Sequence, residues 1–290
     1  MSRAEVVAKG LYFGEGPRWH DGRLWFSDFY DRAVKSMDAA GRVSVELQID
    51  DQPSGLGWLP DGRMLVVAMS GLRVLRVDVD AVRVHAELGS VAKHLCNDMV
   101  VGPDGAAYVG NFGFDLDAAI ARLGVEGLLR DHPTTTLVRI SPDGDVRVAA
   151  DEMHFPNGSV ITPDGSTLIV AETLSMCLTA FDIEADGALS NRRVWAPVGM
   201  RAPDGICLDA GGNVWVANAL APECVLVAPG GEILEVVETS QPCFACMLGG
   251  EDGRRLHLLT APTSDHSVAG AARHGSVETA VVGVPHAGWP

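Results

Sequence analysis

Four side chains that carry oxygen atoms recur at a nearly fixed distance before tight turns in this sequence of 290 residues. Asn97, Asn157 and Asp204 each stand eight residues before a turn glycine, and Glu15 stands seven residues before Gly22. Carboxylate and amide oxygens are the ligands that hard divalent cations such as Ca²⁺, Mg²⁺ and Mn²⁺ prefer. If the fold brings these four residues together, they predict one metal site.

Each of the four residues also has a purely structural interpretation. Asparagine before glycine or aspartate is common in turns, and Asp-Gly is a hairpin signal. Turn residues, however, have no structural reason to stand at nearly the same distance before the turn glycine in four repeats. The spacing therefore favours the metal site. The same count gives Ser54 and Ala245 at the two remaining positions.

The spacing belongs to a sixfold repeat of tight turns followed by apolar strand residues. The turn glycines, in Asp-Gly or Gly-Gly pairs that favour hairpins, are Gly22, Gly62, Gly105, Gly165, Gly212 and Gly253. They lie 40, 43, 60, 47 and 41 residues apart, which is the period of propeller blades. Because the innermost strand of each blade lines a central channel, residues at one phase of the repeat form a ring around the axis. We therefore predict an all-β fold, a six-bladed β-propeller in which residues 1–290 form a single domain.

The longest interval contains an insertion, residues 112–133. Apolar residues recur there at roughly helical spacing behind a capping aspartate, Asp115; they are Leu116, Ile120, Leu123 and Leu128. We predict a helical loop, interpreted either as a lid over one mouth of the channel or as an excursion packed against a blade. Residues 4–8 are expected to close the ring by pairing with a last strand near residues 278–284.

Composition and charge exclude several classes of protein. The sequence is 47% hydrophobic and 21% charged, as in soluble globular proteins, and its formal net charge of −16 disfavours nucleic acid and anionic membranes as partners. We expect a cytoplasmic protein, because no membrane-spanning run or signal pattern is visible. The six cysteines are expected to be reduced thiols, and the lone CxxC of Cys243 and Cys246 has no second pair to complete a zinc site.

The motifs around the four oxygen-bearing residues resemble one known family. These motifs are GEGPRW around Glu15, CNDMVVGPDG around Asn97, PNGSVITPDG around Asn157 and PDGICLDAGGNVWVA around Asp204. Nearly end to end, the chain is similar to the gluconolactonases, senescence marker protein (regucalcin) and luciferin-regenerating enzyme. The resemblance implies a metal-dependent hydrolase that opens a lactone.

The resemblance also implies a role for each of the four residues. Glu15, Asn157 and Asp204 would bind the metal, while Asn97 would be a fourth ligand or a substrate contact. Asp204 would also be the general base. The chemistry is consistent with these roles, because a metal polarises the carbonyl group and activates water, and a nearby carboxylate can accept the proton. The expected cofactor is one divalent ion, Ca²⁺ first, with Zn²⁺, Mn²⁺, Mg²⁺ and Fe²⁺ as alternatives.

Residues near the expected channel mouth bear on the substrate. Family members that act on sugar lactones carry an arginine two residues before the channel asparagine, where this chain has Leu95. Leucine cannot hydrogen-bond sugar hydroxyls, and further apolar residues are expected at the mouth; they are Phe112, Phe114, Phe155 and Met153. Leu95 and Phe114 therefore favour a less polar lactone or ester as the substrate.

Four polar residues stand three positions before the ring and are expected on loops at the channel entrance; they are Asp51, His94, His154 and Arg201. His154 and Arg201 are further candidates for substrate binding, because they could orient a substrate or stabilise an oxyanion there. The alternative is that both are ordinary solvent-exposed loop residues.

Two other functions are compatible with the same residues. The metal site could hydrolyse phosphotriesters or other activated esters, or the chain could be a non-enzymatic propeller that binds calcium or a protein, because a fold does not determine a function. We expect a small-molecule partner and a monomer or small homo-oligomer.

Overall fold

The computed structural model, which describes residues 2–288, is a six-bladed β-propeller, as the repeat predicts. The strands, in chain order, begin with β1 (Ser2–Arg3) and β2 (Glu5–Leu11). Blade 1 consists of β3 (Gly14–His20), β4 (Arg23–Asp28), β5 (Ala33–Met37) and β6 (Val43–Gln48). Blade 2 consists of β7 (Pro53–Trp58), β8 (Met64–Ala68), β9 (Arg73–Val77) and β10 (Val82–Glu87).

The remaining blades repeat this order from the axis outward. Blade 3 consists of β11 (Cys96–Val101), β12 (Ala107–Asn111), β13 (Thr135–Ile140) and β14 (Val146–Met153). Blade 4 consists of β15 (Pro156–Ile161), β16 (Thr167–Glu172), β17 (Cys177–Ile183) and β18 (Leu189–Pro197). Blade 5 consists of β19 (Pro203–Leu208), β20 (Val214–Asn218), β21 (Glu223–Val227) and β22 (Ile233–Glu238). Blade 6 contains β23 (Cys243–Gly249), β24 (Arg255–Thr260) and β25 (Gly275–Val281).

The N-terminal segment closes the ring, as expected. Strand β2 pairs antiparallel with β25 and becomes the outermost strand of blade 6. Strand β1 pairs parallel with β22 of blade 5. The start of the chain therefore links the last two blades, and blade 6 combines one strand from the N-terminal end of the sequence with three from the C-terminal end.

The turn glycines that predicted the repeat all have positive φ. Their φ angles are 72° at Gly22, 84° at Gly62, 83° at Gly105, 72° at Gly165, 80° at Gly212 and 73° at Gly253. Residues other than glycine rarely adopt this backbone conformation, which explains why glycine marks the hairpin between the two inner strands of every blade.

The inserted segment is helical and lies between β12 and β13, as predicted. Helix α1 (Leu116–Arg130) begins behind Asp115, whose side chain accepts a hydrogen bond of 2.9 Å from the backbone N–H of Ala118. Gly124, with φ 66° and ψ 169°, interrupts the helix. A short 3-10 helix (Thr173–Ser175) and helix α2 (His266–Ala269) complete the helical elements among residues 2–288. No helix in this range is long and apolar enough to cross a membrane.

Polar residues at the ends of the second strands fasten individual blades. The Glu172 carboxylate accepts hydrogen bonds from the backbone N–H of His154 at 2.6 Å and the hydroxyl of Thr179 at 2.5 Å. Asn218 accepts one from the backbone N–H of Ala202 at 3.2 Å. These contacts join the loop before each inner strand to the blade, so Glu172 and Asn218 have structural roles.

His257 in β24 provides a test of how the blades pack. Its ring stacks on Trp19 of blade 1, with centroids 5.4 Å apart and planes 18° apart. Only 2% of the residue is exposed, and this burial lowers the pKa of His257 to about 4.

We predict that His257 makes the protein less stable as the pH falls from 6.5 to 4. The folded state keeps the ring neutral while the unfolded chain takes up a proton, so stability falls by about 3 kcal/mol across this window. His257→Phe preserves the stacked ring and should remove this part of the pH dependence. The free energy of unfolding, measured by denaturant titration at several pH values, checks it; equal slopes for both proteins would contradict the assignment.

Candidate functional site

The four predicted ligands lie on the innermost strands of four blades. Glu15 is in β3, Asn97 in β11, Asn157 in β15 and Asp204 in β19, each at the second position of its strand. The pairing register with the second strand shifts beside or around each of these residues. Such β-bulges re-aim side chains. All four side chains line one cavity at the mouth of the channel.

The sixth blade departs from the eight-residue count. In β23 the register shifts between Cys243 and Ala245, so Phe244 occupies the bulge. Phe244 lines the cavity, whereas Ala245 packs against Gly205 of the neighbouring inner strand. The ring thus has an aromatic member at a position that the count assigned to Ala245, because Phe244 stands nine residues, not eight, before the turn glycine Gly253.

The two ring carboxylates are buried and repel each other. Burial raises the pKa of Glu15 well above its usual value, and the charges of Asp204 and Asp98 raise it further. Burial also raises the pKa of Asp204, with a second contribution from Asp98, while a hydrogen bond from Asn157 opposes the shift. A cation among these groups would offset both burial and repulsion.

Asn97 supplies a buried oxygen that has no partner. Its Nδ2 donates a hydrogen bond of 3.1 Å to the carbonyl oxygen of Pro156 in the next blade. Its Oδ1 is buried and has no hydrogen-bond partner among the described residues. An unpaired buried acceptor is unfavourable, so the amide fits a site that receives a ligand or a cation.

The donor set fits a hard divalent cation only if the amides take part. Within residues 2–288 no group of three or more histidine, cysteine, aspartate or glutamate side chains is arranged to hold a metal. Glu15 and Asp204 are two carboxylates, and Asn97 and Asn157 would add amide oxygens of the kind that Ca²⁺ accepts. The chemistry of the four residues is therefore that of an oxygen-only site.

Sequence reasoning missed Asp98, which immediately follows Asn97. The equivalent bulge positions in four other blades hold glycine; they are Gly16, Gly55, Gly158 and Gly205. The inner strands come so close that a Cβ at Gly55 would lie 2.3 Å from the backbone nitrogen of Met99. The signal available in the sequence was a carboxylate at a position where four other blades have glycine.

The charge of a buried arginine, Arg18, acts on Asp98. Burial raises the pKa of Asp98, and the charge of Arg18 opposes this rise. Arg18 in β3 is 4% exposed and donates hydrogen bonds to the carbonyl oxygens of Pro17, at 2.7 Å, and of Met99 in β11. The Arg18 side chain therefore joins blades 1 and 3 and provides a fixed positive charge near Glu15 and Asp98.

A glycine in β12 makes room for the Asn97 amide. A Cβ at Gly110 would lie 2.6 Å from Oδ1 of Asn97 and 2.5 Å from the carbonyl oxygen of Pro156. Gly110→Ala should therefore displace Asn97, destabilise the protein by about 1–3 kcal/mol through overpacking, and weaken metal binding by roughly 10- to 100-fold.

The matched control for this change is Gly89→Ala. A Cβ at Gly89 would meet no atom within 4 Å, so this variant should keep normal stability and metal affinity. Thermal unfolding and calorimetric titration with Ca²⁺ or Mn²⁺ measure both quantities. If Gly110→Ala bound metal as the control does, Asn97 would not belong to the site.

The cavity above the ring has a volume of about 690 Å³. Leu95 and Phe114 line it, as expected for residues near the mouth. Phe112 and Phe155 also line it, with ring centroids 4.6 Å apart. Met153 is fully buried and is not among the lining residues.

The two polar candidates for substrate binding are placed elsewhere. Neither His154 nor Arg201 is among the described residues that line the cavity. Nδ1 of His154 lies 2.8 Å from Nε2 of His132, a residue just beyond the end of α1. Nε of Arg201 donates a hydrogen bond of 2.8 Å to the carboxylate of Glu223. These partners hold the side chains of His154 and Arg201 outside the cavity. His94, which stands at the same position before Asn97, does line the cavity.

Helices α1 and α2 meet at the mouth of the cavity. Oδ2 of Asp117 in α1 lies 2.7 Å from Nδ1 of His266 in α2, and both side chains are exposed. Both residues line the cavity. The insertion in blade 3 therefore covers part of the mouth and contacts the loop of blade 6 on the opposite side.

None of the cysteines is among the described residues that line the cavity, and two of them pack between adjacent inner strands. The Sγ atoms of Cys207 in β19 and Cys246 in β23 are 3.8 Å apart, and both residues are buried. All six cysteines are free thiols. The contact between Cys207 and Cys246, which are 39 residues apart in the sequence, arises because adjacent inner strands pack side by side.

The fold and site together define a propeller with buried carboxylate and amide side chains at one end of its axis. The model of one family, the SMP-30/Gluconolactonase/LRE-like region, matches residues 13–262. The chain belongs to this family.

Individual relatives are similar along nearly their whole length. Regucalcin from Gallus gallus is 24% identical over 268 residues, which cover 89% of this chain and 87% of the relative. A pentonolactonase from Haloferax volcanii is 27% identical over 285 residues, 93% of this chain and 89% of the relative. A solved structure of luciferin-regenerating enzyme superposes with a TM-score of 0.80 at 19% identity, covering 98% of this chain and 96% of that one. This last similarity concerns the fold.

Proposed function

We propose that this protein is a divalent-metal-dependent hydrolase that opens lactones. The observation that carries the proposal is the buried ring of Glu15, Asn97, Asn157 and Asp204 at the base of an open cavity, with Oδ1 of Asn97 unpartnered among the described residues. Family membership and a relative named as a pentonolactonase support lactone as the substrate class.

The four ring residues would hold the metal. Glu15, Asn157 and Asp204 are the proposed ligands, with Asn97 as a fourth ligand or a contact to the substrate. Ca²⁺ suits this oxygen-only set best, because it accepts carboxylate and amide oxygens together. When bound, a divalent ion supplies Lewis-acid polarisation of an ester carbonyl and lowers the pKa of water.

Asp204 is the proposed general base. It is buried, burial and the charge of Asp98 raise its pKa, and it lines the cavity from which a substrate would approach. A positioned carboxylate that removes the proton from an attacking water contributes typically 10²- to 10⁴-fold to a hydrolysis rate. Glu15 would serve as a ligand, with its carboxylate positioned by a hydrogen bond of 3.0 Å from the N–H of Gly16.

A substrate panel tests the proposed function. Purified protein, loaded with Ca²⁺, Mn²⁺ or Zn²⁺ in turn, is assayed on five- and six-membered lactones, an aryl acetate and a phosphotriester. We expect ring opening of lactones to be fastest and to disappear on chelation. Faster phosphotriester turnover would assign the site to that chemistry, and tight calcium binding without any turnover would make the protein a non-enzymatic calcium-binding propeller.

A further inference from the structure

We propose that the substrate of this site is an uncharged lactone that carries a long apolar chain, with the lactone ring at the oxygen ligands and the chain along the wall beneath helix α1. This inference rests on the proposed function and adds the substrate class. Three properties of the cavity carry it: the apolar surface of its walls, its size, and the sign of the charges around it.

The first wall is built by the insertion. Leu116 and Ile120 of α1 are half-buried and line the cavity. They belong to an apolar cluster with Phe114, Phe155 and Leu174, all of which also line the cavity. Helix α1 therefore turns an apolar face toward the channel mouth and leaves part of that face open to a ligand.

The opposite wall is aromatic. Phe13 and Phe244 have ring centroids 4.7 Å apart, and Phe29 lies 5.4 Å from Phe13. All three rings line the cavity, together with Tyr30. A chain that leaves the ring of oxygen ligands is thus enclosed by apolar side chains on both sides. Apolar walls with a few polar groups at one end are typical of sites that orient a largely hydrophobic ligand.

The size of the cavity requires more than a lactone ring. Its volume of about 690 Å³ falls in the range of cavities that enclose drug-sized ligands. A five-membered lactone alone would leave most of this space to water against apolar surface. Each additional methylene group that becomes buried should lower the dissociation constant by about fourfold.

The acidic residues around the cavity disfavour an anionic substrate. Five carboxylates line it, those of Glu15, Asp98, Asp115, Asp117 and Asp204. None of the described lining residues is a lysine or an arginine. A carboxylate, sulfonate or phosphate close to Asp115 and Asp117 would be repelled, and sugar hydroxyls placed along Leu116, Ile120 or the phenylalanine rings would find no hydrogen-bond partner there.

The test uses γ-lactones that differ only in the length of a 4-alkyl chain, from methyl to octyl. We expect kcat/KM to rise by about fourfold per methylene over the first several carbons, and to exceed the value for gluconolactone by at least about 100-fold at octyl. A flat series, or a preference for gluconolactone, would overturn the proposal even if the protein is a lactonase.

A binding measurement separates this proposal from the proposed function. The matching 5-alkyl-2-pyrrolidones have an amide bond that resists hydrolysis, so calorimetry with these lactams reports binding without turnover. Tighter binding with increasing chain length, in a protein that hydrolyses no lactone, would contradict the proposed function and support the apolar site. Lactone hydrolysis without any chain dependence in either series would leave the function intact and contradict the apolar site.

Two substitutions in α1 test where the alkyl chain of the ligand binds. Ile120→Asn places a polar group in the wall, and Leu123→Asn makes the same change at a half-buried position of the helix that does not line the cavity. Ile120→Asn should weaken binding of the octyl lactam by about tenfold and leave the methyl lactam unchanged. Leu123→Asn should alter neither ligand. Equal effects of the two substitutions would show that the helix packing, not the wall, determines affinity, and would overturn the placement.

Discussion

Asp204→Asn is expected to lower kcat for lactone opening by about 10²- to 10⁴-fold. The substitution retains an oxygen that can coordinate a metal but removes the group that accepts a proton. The cavity, whose walls come from other residues, should still bind substrate, so KM should change little. Steady-state kinetics with saturating metal provide the measurement.

The matched comparison is Glu15→Gln, which alters a proposed ligand without touching the proposed base. Its activity should fall at low metal concentration and recover as metal is added, whereas Asp204→Asn should stay inactive at every metal concentration. Recovery of Asp204→Asn by excess metal would mean that this residue is a ligand only and that another group is the base.

Removal of the metal is expected to abolish activity and to destabilise the protein. Without a cation, Glu15, Asp98 and Asp204 remain close together in a buried place, which raises the pKa of all three. Metal at about 100 times its dissociation constant stabilises a folded protein by roughly 2.7 kcal/mol, a shift of about 5 °C in Tm for a chain of this size. Thermal unfolding before and after chelation measures the difference.

The pH dependence of this difference has a definite sign. A carboxyl group whose pKa is raised in the folded state keeps its proton while the unfolded chain releases its own. The metal-free protein should therefore lose stability as the pH rises above the usual carboxyl range, and the loss should level off above the raised pKa values. The metal-loaded protein should not lose stability over this pH range. Parallel pH profiles for the two forms would contradict a cation site among these carboxylates.

The turns and the ring could be predicted from the sequence because their signals are local. A tight hairpin requires positive φ, glycine supplies it, and the interval between such glycines counts the blades. The second position of each inner strand then follows by counting, which places Glu15, Asn97, Asn157 and Asp204 around one cavity. The helix in the insertion was equally visible, because capping by Asp115 and apolar spacing are local properties.

Other features depend on contacts between distant strands. The count failed for Phe244 because this residue stands nine residues, not eight, before its turn glycine, and nothing in the local sequence marks that shift. His154 was expected at the channel entrance, but His132 holds its ring near the end of α1. The contact between Arg18 and the carbonyl oxygen of Met99 joins strands that are far apart in the sequence, so its role emerged only from the fold.

A crystal structure of the metal-loaded protein, with anomalous diffraction data collected at the absorption edge of Mn²⁺, tests the central claim most directly. We predict one anomalous peak on the channel axis at the base of the cavity, within about 2.5 Å of oxygen atoms from Glu15, Asn157 and Asp204, with the Asn97 amide beside it. A protein that binds Mn²⁺ only at its surface, with ordered water alone among these four side chains, would contradict the account.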